Sequence, residues 1–137
     1  MNKKENGFTL IELLVTMVII GIITSFAIPS FSKIQNRAKE SNIKSTLHSL
    51  QVSIEAYAAA NGTYPTGSDI DLPTLVTTLK TSGEFSKLPI NPFTGAPYTA
   101  QDKSGKILYS LDSAANVYTL TAYGAGNTAE ISKLQNI

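Results

Sequence analysis

Gly7-Phe8-Thr9-Leu10-Ile11-Glu12-Leu13-Leu14 opens an apolar run that continues to Phe31, and its reading decides the fold. From Phe8 to Ile28 the residues are Leu, Ile, Val, Met, Phe and Ala, interrupted by Thr9, Thr16, Gly21, Thr24, Ser25 and a single acid, Glu12. As a helix this segment extends roughly 30 Å, the thickness of a bilayer's hydrocarbon core. The chain is therefore expected to cross a membrane once, through residues 8–28.

Glu12 is the anomaly in that span. An ionisable side chain in hydrocarbon costs about 2.5–3.5 kcal/mol on the most lenient scale, so it calls for a partner. The run itself offers no basic one, since no Lys, Arg or His occurs between Phe8 and Ser32. A cut between Gly7 and Phe8 would create an α-amino group one helical turn before Glu12, able to neutralise it within a chain or between neighbours.

Lys3-Lys4, then Gly7-Phe8-Thr9-Leu10-Ile11-Glu12, then the apolar run ending in Pro29, closely resemble the type IV pilin and pseudopilin family, strongly from Met1 to about Ala60. The resemblance implies that 1–7 is a leader removed by a prepilin peptidase that is also a methyltransferase. It implies that Phe8 becomes the N-methylated first residue, and that Glu12 pairs with a neighbouring subunit's Phe8 amine during assembly. It also implies that the partners are copies of the chain itself, an inner-membrane assembly platform with its ATPase, and the bilayer before assembly.

Lys3 and Lys4 beside the span predict that the N-terminal end stays cytoplasmic and the rest lies outside. A secretory signal peptide is the competing reading, with Ser25-Phe26-Ala27 as an acceptable small-x-small cleavage site that would release a soluble binding module after Ala27. Glu12 inside the apolar core, and helical signals that run past Ala27, count against it.

Of the 137 residues 42% are hydrophobic and 15% charged, with a formal net charge of +1, so neither a basic nucleic-acid footprint nor an acidic tail is present. The absence of Cys excludes a disulfide framework, a thiolate metal site and a Cys nucleophile.

After Pro29, where a kink is expected, the pattern becomes amphipathic. Ile43, Leu47, Leu50, Ile54 and Tyr57 recur at steps of three and four, with Lys39, Glu40, Lys44, Gln51 and Glu55 on other faces. The spacing predicts a second, amphipathic half of the helix over 29–60, ended by Asn61-Gly62. Within a head at 61–137, residues 62–105 read as a loop region carrying a short helix with Leu72, Leu75, Val76 and Leu79, begun by Asp71 and Pro73 and stopped by Gly83. Leu88 to Tyr98 is too rich in Pro and Gly for a central strand. Lys106–Leu111 and Val117–Tyr123 alternate as a β-hairpin around Asp112–Asn116, and the tail 124–137 is a turn followed by an edge strand or a surface segment. The expected class is α+β: a long N-terminal helix whose amphipathic half covers a small antiparallel sheet.

His48, the only histidine, reads as a solvated helix residue, with Ser45 and Ser49 nearby. Asp69, Asp71 and Glu84 read as loop acids, because calcium needs six to eight oxygen ligands at a spacing not found here. Asn61-Gly62-Thr63 fits a glycosylation sequon, but the helix cap already explains it. The head's Tyr64-Pro65 loop, Asn91–Tyr98 stretch and Tyr118-Thr119-Leu120 strand resemble the major pseudopilin of type II secretion in outline. That protein carries acidic calcium ligands after its last strand, where this chain has only Glu130, so no calcium site is carried over. No metal, cofactor, nucleic acid or small-molecule ligand is expected, and no phosphate loop, dinucleotide fingerprint or catalytic triad order is present. The chain is expected to be a non-enzymatic filament subunit, first in the inner membrane and then in a surface or periplasmic filament. The alternative within the family is a pseudopilin of a type II secretion or DNA-uptake system.

Overall fold

Apolar residues at steps of three and four after position 40 force a helix with one covered face, and period-two residues after position 106 force a sheet to cover it. The computed structural model describes residues 7–83 and 85–136, with the backbone alone at Pro29. The expected leader residues 1–6 and Glu84 lie outside them.

Helix α1 (Leu10–Asn61) begins two residues after the expected start and runs through Pro29 without ending. The chain divides into two compact units, Met1–Gln35 and Asn36–Ile137. In the first unit the apolar side chains of α1 are exposed, Phe26 at 73%. The second unit holds the core. There Ile43, Leu47, Leu50 and Ile54 are buried together with Ile107, Tyr109, Tyr118, Leu120 and Ala122 of the sheet. Gly62, with φ +76, ends α1 in the left-handed conformation, its N–H donating to the Ala58 carbonyl at 2.8 Å.

Strand β1 (Ile70–Asp71) leads directly into α2 (Leu72–Thr81), whose N-terminus is capped by the Asp71 carboxylate accepting from the Thr74 N–H at 2.9 Å. Leu72, Leu75, Val76 and Leu79 form its buried face. Strands β2 (Ile107–Asp112), β3 (Val117–Tyr123) and β4 (Glu130–Gln135) complete an antiparallel sheet of order β1-β2-β3-β4. Opposite pairs Ile107 with Ala122, Tyr109 with Leu120 and Leu111 with Tyr118 set the register, so the alternating residues of β2 and β3 face the core together.

Two details differ from the sequence reading, and a third falls on one of the two alternatives it left open. The hairpin strand runs Ile107–Asp112, and Asp112 pairs with Val117 while its Oδ1 accepts from the Ala114 and Ala115 N–H groups. The two-residue β1 was not anticipated, because two residues show no alternation and only pairing with Leu108 and Tyr109 makes them a strand. The tail forms the edge strand β4 on β3, with a register shift beside Tyr123.

The Pro-rich connection is fixed by Asn91, a fully buried polar residue. Its Nδ2 donates to Asp102 Oδ2 and to the Ser104 carbonyl, both at 2.8 Å, and its Oδ1 accepts from the Phe93 N–H at 2.9 Å. Gly105 must be glycine here: φ is +73, and a Cβ would stand 2.8 Å from Asn91 Oδ1. Burial alone would raise the Asp102 carboxyl, but bonds from Asn91 and Thr99 outweigh it and hold the group below its usual range.

Tyrosines tie the helix to the sheet. Tyr118 Oη donates to Glu55 Oε1 at 2.8 Å, Tyr64 Oη to Glu55 Oε2 at 3.1 Å, and Tyr109 Oη to the Pro65 carbonyl at 2.7 Å. Burial pushes the phenols of Tyr98, Tyr109 and Tyr118 upward, and the Glu55 carboxylate adds to this at Tyr118. A phenol that ionises later in the folded state contributes stability that is whole below the unfolded value, about 10, and lost as pH rises past it. The melting temperature of the full chain in micelles is thus expected to hold steady up to about pH 10 and fall beyond. Near-ultraviolet circular dichroism of the tyrosines reads this directly, and an unchanged midpoint on the alkaline side would contradict the burial argument.

Candidate functional site

The polar atoms of the apolar stretch are almost all satisfied within its own helix. Thr16 Oγ1 donates to the Leu13 carbonyl and Thr24 Oγ1 to the Ile20 carbonyl, both at 2.8 Å, and Ser25 Oγ donates to the Ile22 carbonyl at 2.7 Å. Back-bonding of this kind hides hydroxyls from lipid. Helix α1 is long and apolar enough to cross a bilayer, and Glu12 is the only charged residue between Phe8 and Ile28.

Glu12 has a partner that the sequence reading missed. Thr9 is the residue before α1, and its hydroxyl accepts from the Glu12 N–H at 3.3 Å. In return Glu12 Oε2 accepts from the Thr9 N–H at 2.9 Å and from the Thr9 hydroxyl at 2.7 Å. This reciprocal arrangement is a capping box, and its signature, Thr-x-x-Glu before an apolar run, stands in the sequence at Thr9-Leu10-Ile11-Glu12. Oε1 of the same carboxylate accepts no hydrogen bond among the described residues.

Gly7 and Phe8 precede the cap in non-helical backbone, and Phe8 is 84% exposed. A chain cut between them would carry its amine beside the Thr9 and Glu12 box. Position 29 lies inside α1, and no further role of Pro29 is visible from its backbone.

The remaining candidates separate. His48 is exposed on α1, Asp71 is occupied as the cap of α2, and the Asn61 side chain donates to the Tyr57 carbonyl at 2.9 Å as part of the helix end. Glu130 is exposed at the start of β4, and between β3 and β4 no other carboxylate is present, so these residues do not fit a calcium site. Among the described residues no cluster of three metal-ligating side chains forms. A shallow cleft on the head is bordered by Asp102, Lys106, Tyr123 and Asn127. Its amide and carboxylate are already engaged: Asn127 Nδ2 donates to the Asp102 backbone carbonyl at 2.7 Å, Asn127 Oδ1 accepts from the Lys106 N–H at 3.0 Å, and the Asp102 carboxylate accepts from Asn91 and Thr99.

Comparison with known proteins bears on the same N-terminal stretch. The family model described as the prokaryotic N-terminal methylation motif matches residues 2–28. The chain is similar to the type IV major pilin protein PilA of Myxococcus xanthus, 40% identical over 63 residues, which cover 46% of this chain and 29% of that protein. It is similar to the type II secretion system core protein G of Vibrio cholerae, 30% identical over 99 residues, 66% of this chain and 67% of that protein. The corresponding core protein G of Aeromonas hydrophila is 30% identical over 104 residues, 70% of this chain and 72% of that protein. The chain thus spans less than a third of the Myxococcus pilin and about two thirds or more of the two core proteins. No solved structure matches it significantly.

Proposed function

The chain belongs to the type IV pilin and pseudopilin family, and on that premise we propose that it is a structural, non-enzymatic subunit of a pilus-like filament. It is made as a membrane-inserted precursor, cut after Gly7 by a prepilin peptidase, N-methylated on Phe8 and polymerised through residues 8–28. Residues 29–60 then join the head, residues 61–137, with Pro29 as the place where the helix bends.

The observation that carries this reading is a lone carboxylate, Glu12, on an otherwise apolar and exposed helix surface, four residues after Phe8. In lipid, exposed Leu, Ile and Val cost nothing, so a second copy gains little from apolar contact alone. A charge is different. Pairing Glu12 with a neighbour's Phe8 amine relieves a buried ion at one axial offset only, so the ion pair gives register while helix packing gives adhesion.

The pseudopilin alternative is supported by the extent of similarity. The match to the Myxococcus pilin covers 46% of this chain, whereas that to the Aeromonas core protein G covers 70%, more than residues 1–60 can supply, and so reaches into the head. On that reading the filament is short, periplasmic and coupled to protein secretion or DNA uptake. In both, the machinery is an inner-membrane platform and its ATPase.

Intact mass and N-terminal residue, measured on membranes and on sheared surface material, test the reading. An N-methylated Phe8 start in the sheared fraction is the outcome expected of a pilus subunit, and the same start confined to membranes is that of a pseudopilin. A start at Ile28 would overturn both in favour of a released module. Gly7→Glu is expected to leave almost all of the chain as uncleaved precursor, and normal processing of that variant would place the cut elsewhere.

A further inference from the structure

We propose that Thr9 is the positioning residue for Glu12: it anchors one carboxylate oxygen to the start of the helix so that the other is presented to a neighbouring subunit's amine. This rests on the filament reading above.

The geometry carries it. Oε2 receives two donors from Thr9, the N–H at 2.9 Å and the hydroxyl at 2.7 Å, while Oε1 accepts none among the described residues. The hydroxyl also accepts from the Glu12 N–H at 3.3 Å, so its proton is directed at Oε2 and the ring of contacts closes on itself. A free Glu side chain samples many rotamers and must surrender them to pair with an amine. Here that freedom is lost before the partner arrives, which is preorganisation. The flanking Phe8, Leu10, Ile11 and Leu13 are exposed apolar side chains without donors, so nothing from them competes for Oε1. In a low-dielectric surrounding both the anchoring bonds and the later ion pair are strengthened. Asp at position 12 would be one methylene too short to reach back to the Thr9 N–H and still face outward.

The box also changes the order of events. The carboxylate is held within one chain before any cut, so insertion does not wait on an amine, and assembly adds a partner at Oε1 without displacing Thr9 from Oε2.

Thr9→Val keeps the shape and the backbone N–H but removes the hydroxyl, and Thr9→Ser restores it. The full-length protein carrying each change, with Glu12→Ala alongside, is assayed for cleavage, for sheared filament and for amide exchange in micelles. In the wild type the Glu12 amide is expected to be protected although it lies in the first helical turn, where amides ordinarily exchange freely. Thr9→Val is expected to lose that protection and to lower filament yield about tenfold, as for one lost charge-assisted hydrogen bond, with cleaved subunit at the wild-type level in membranes. Thr9→Ser is expected to regain both. Filament at wild-type yield from Thr9→Val, with none from Glu12→Ala, would overturn the positioning role and leave the assembly reading intact. Uncleaved Thr9→Val precursor would also overturn it, by assigning Thr9 to processing. Wild-type yield from Glu12→Ala would overturn the ion pair and with it the positioning role, and the absence of any filament from the wild type would instead overturn the filament reading itself.

Discussion

Glu12→Ala is expected to insert into the membrane at least as well as the wild type and to yield filaments reduced on the order of a hundredfold. The two effects have opposite signs because the same charge acts in two environments. Removing it from a span eases insertion by about 2.5–3.5 kcal/mol, partly offset here because the Thr9 bonds already satisfy one oxygen. Removing it from an assembled pair strands the neighbour's ammonium in an apolar contact, at a cost of about 3–5 kcal/mol, whose lower end is the source of the hundredfold figure. Membrane fractionation reads the first effect and shearing the second. A variant that inserted poorly and therefore made few filaments would point to a folding role, and wild-type filament yield would refute the ion pair. Glu12→Gln refines the result, because an amide oxygen still accepts from Thr9 yet carries no charge. It is expected to keep first-turn protection while assembling as poorly as the alanine variant.

The second large effect lies in the head. Asn91→Ala is expected to destabilise residues 36–137 by about 3 kcal/mol, lowering the melting temperature of the chain in micelles by roughly 15 °C. The side chain makes three bonds in a fully buried position, and its loss leaves the Ser104 carbonyl and the Phe93 N–H without that partner and Asp102 held by Thr99 alone. A buried group left unsatisfied costs about 1–3 kcal/mol. Asn91→Asp tests the cause separately, since it keeps the acceptor for Phe93 and places a second carboxylate against Asp102 Oδ2, which is 2.8 Å from the replaced nitrogen. It is expected to be as harmful as alanine near neutral pH and milder in acid, where protonation removes the repulsion. A change of less than about 1 kcal/mol in Asn91→Ala would mean that the loop is held by its backbone alone.

Much of this architecture could be read from residue order because each element carries its own periodicity. The apolar run announces a helix long and apolar enough to cross a bilayer, steps of three and four from Ile43 to Ile54 announce its covered face, and alternation in 107–111 and 117–123 announces a hairpin. Asp71 and Pro73 before an apolar repeat, and Gly62 and Gly83 after one, mark helix ends through local hydrogen bonding and left-handed backbone, which need no distant residue. The Gly7, Phe8 and Glu12 string is legible for the same reason, being contiguous.

What residue order left undetermined depends on groups far apart in the chain. Asn91, Asp102 and Ser104 meet only when the Pro-rich loop folds back, so a buried polar anchor is indistinguishable beforehand from a solvated loop amide. Ile70 and Asp71 are too few to alternate and become a strand only by pairing with Tyr109 and Leu108. Glu55 looks like any exposed helix acid until Tyr64 and Tyr118 reach it. Thr9 is the instructive case. Its motif is local and readable, yet two meanings competed for Glu12, a charge seeking a cation and a carboxylate capping its own helix, and only the positions of Oε1 and Oε2 show that one side chain has room for both.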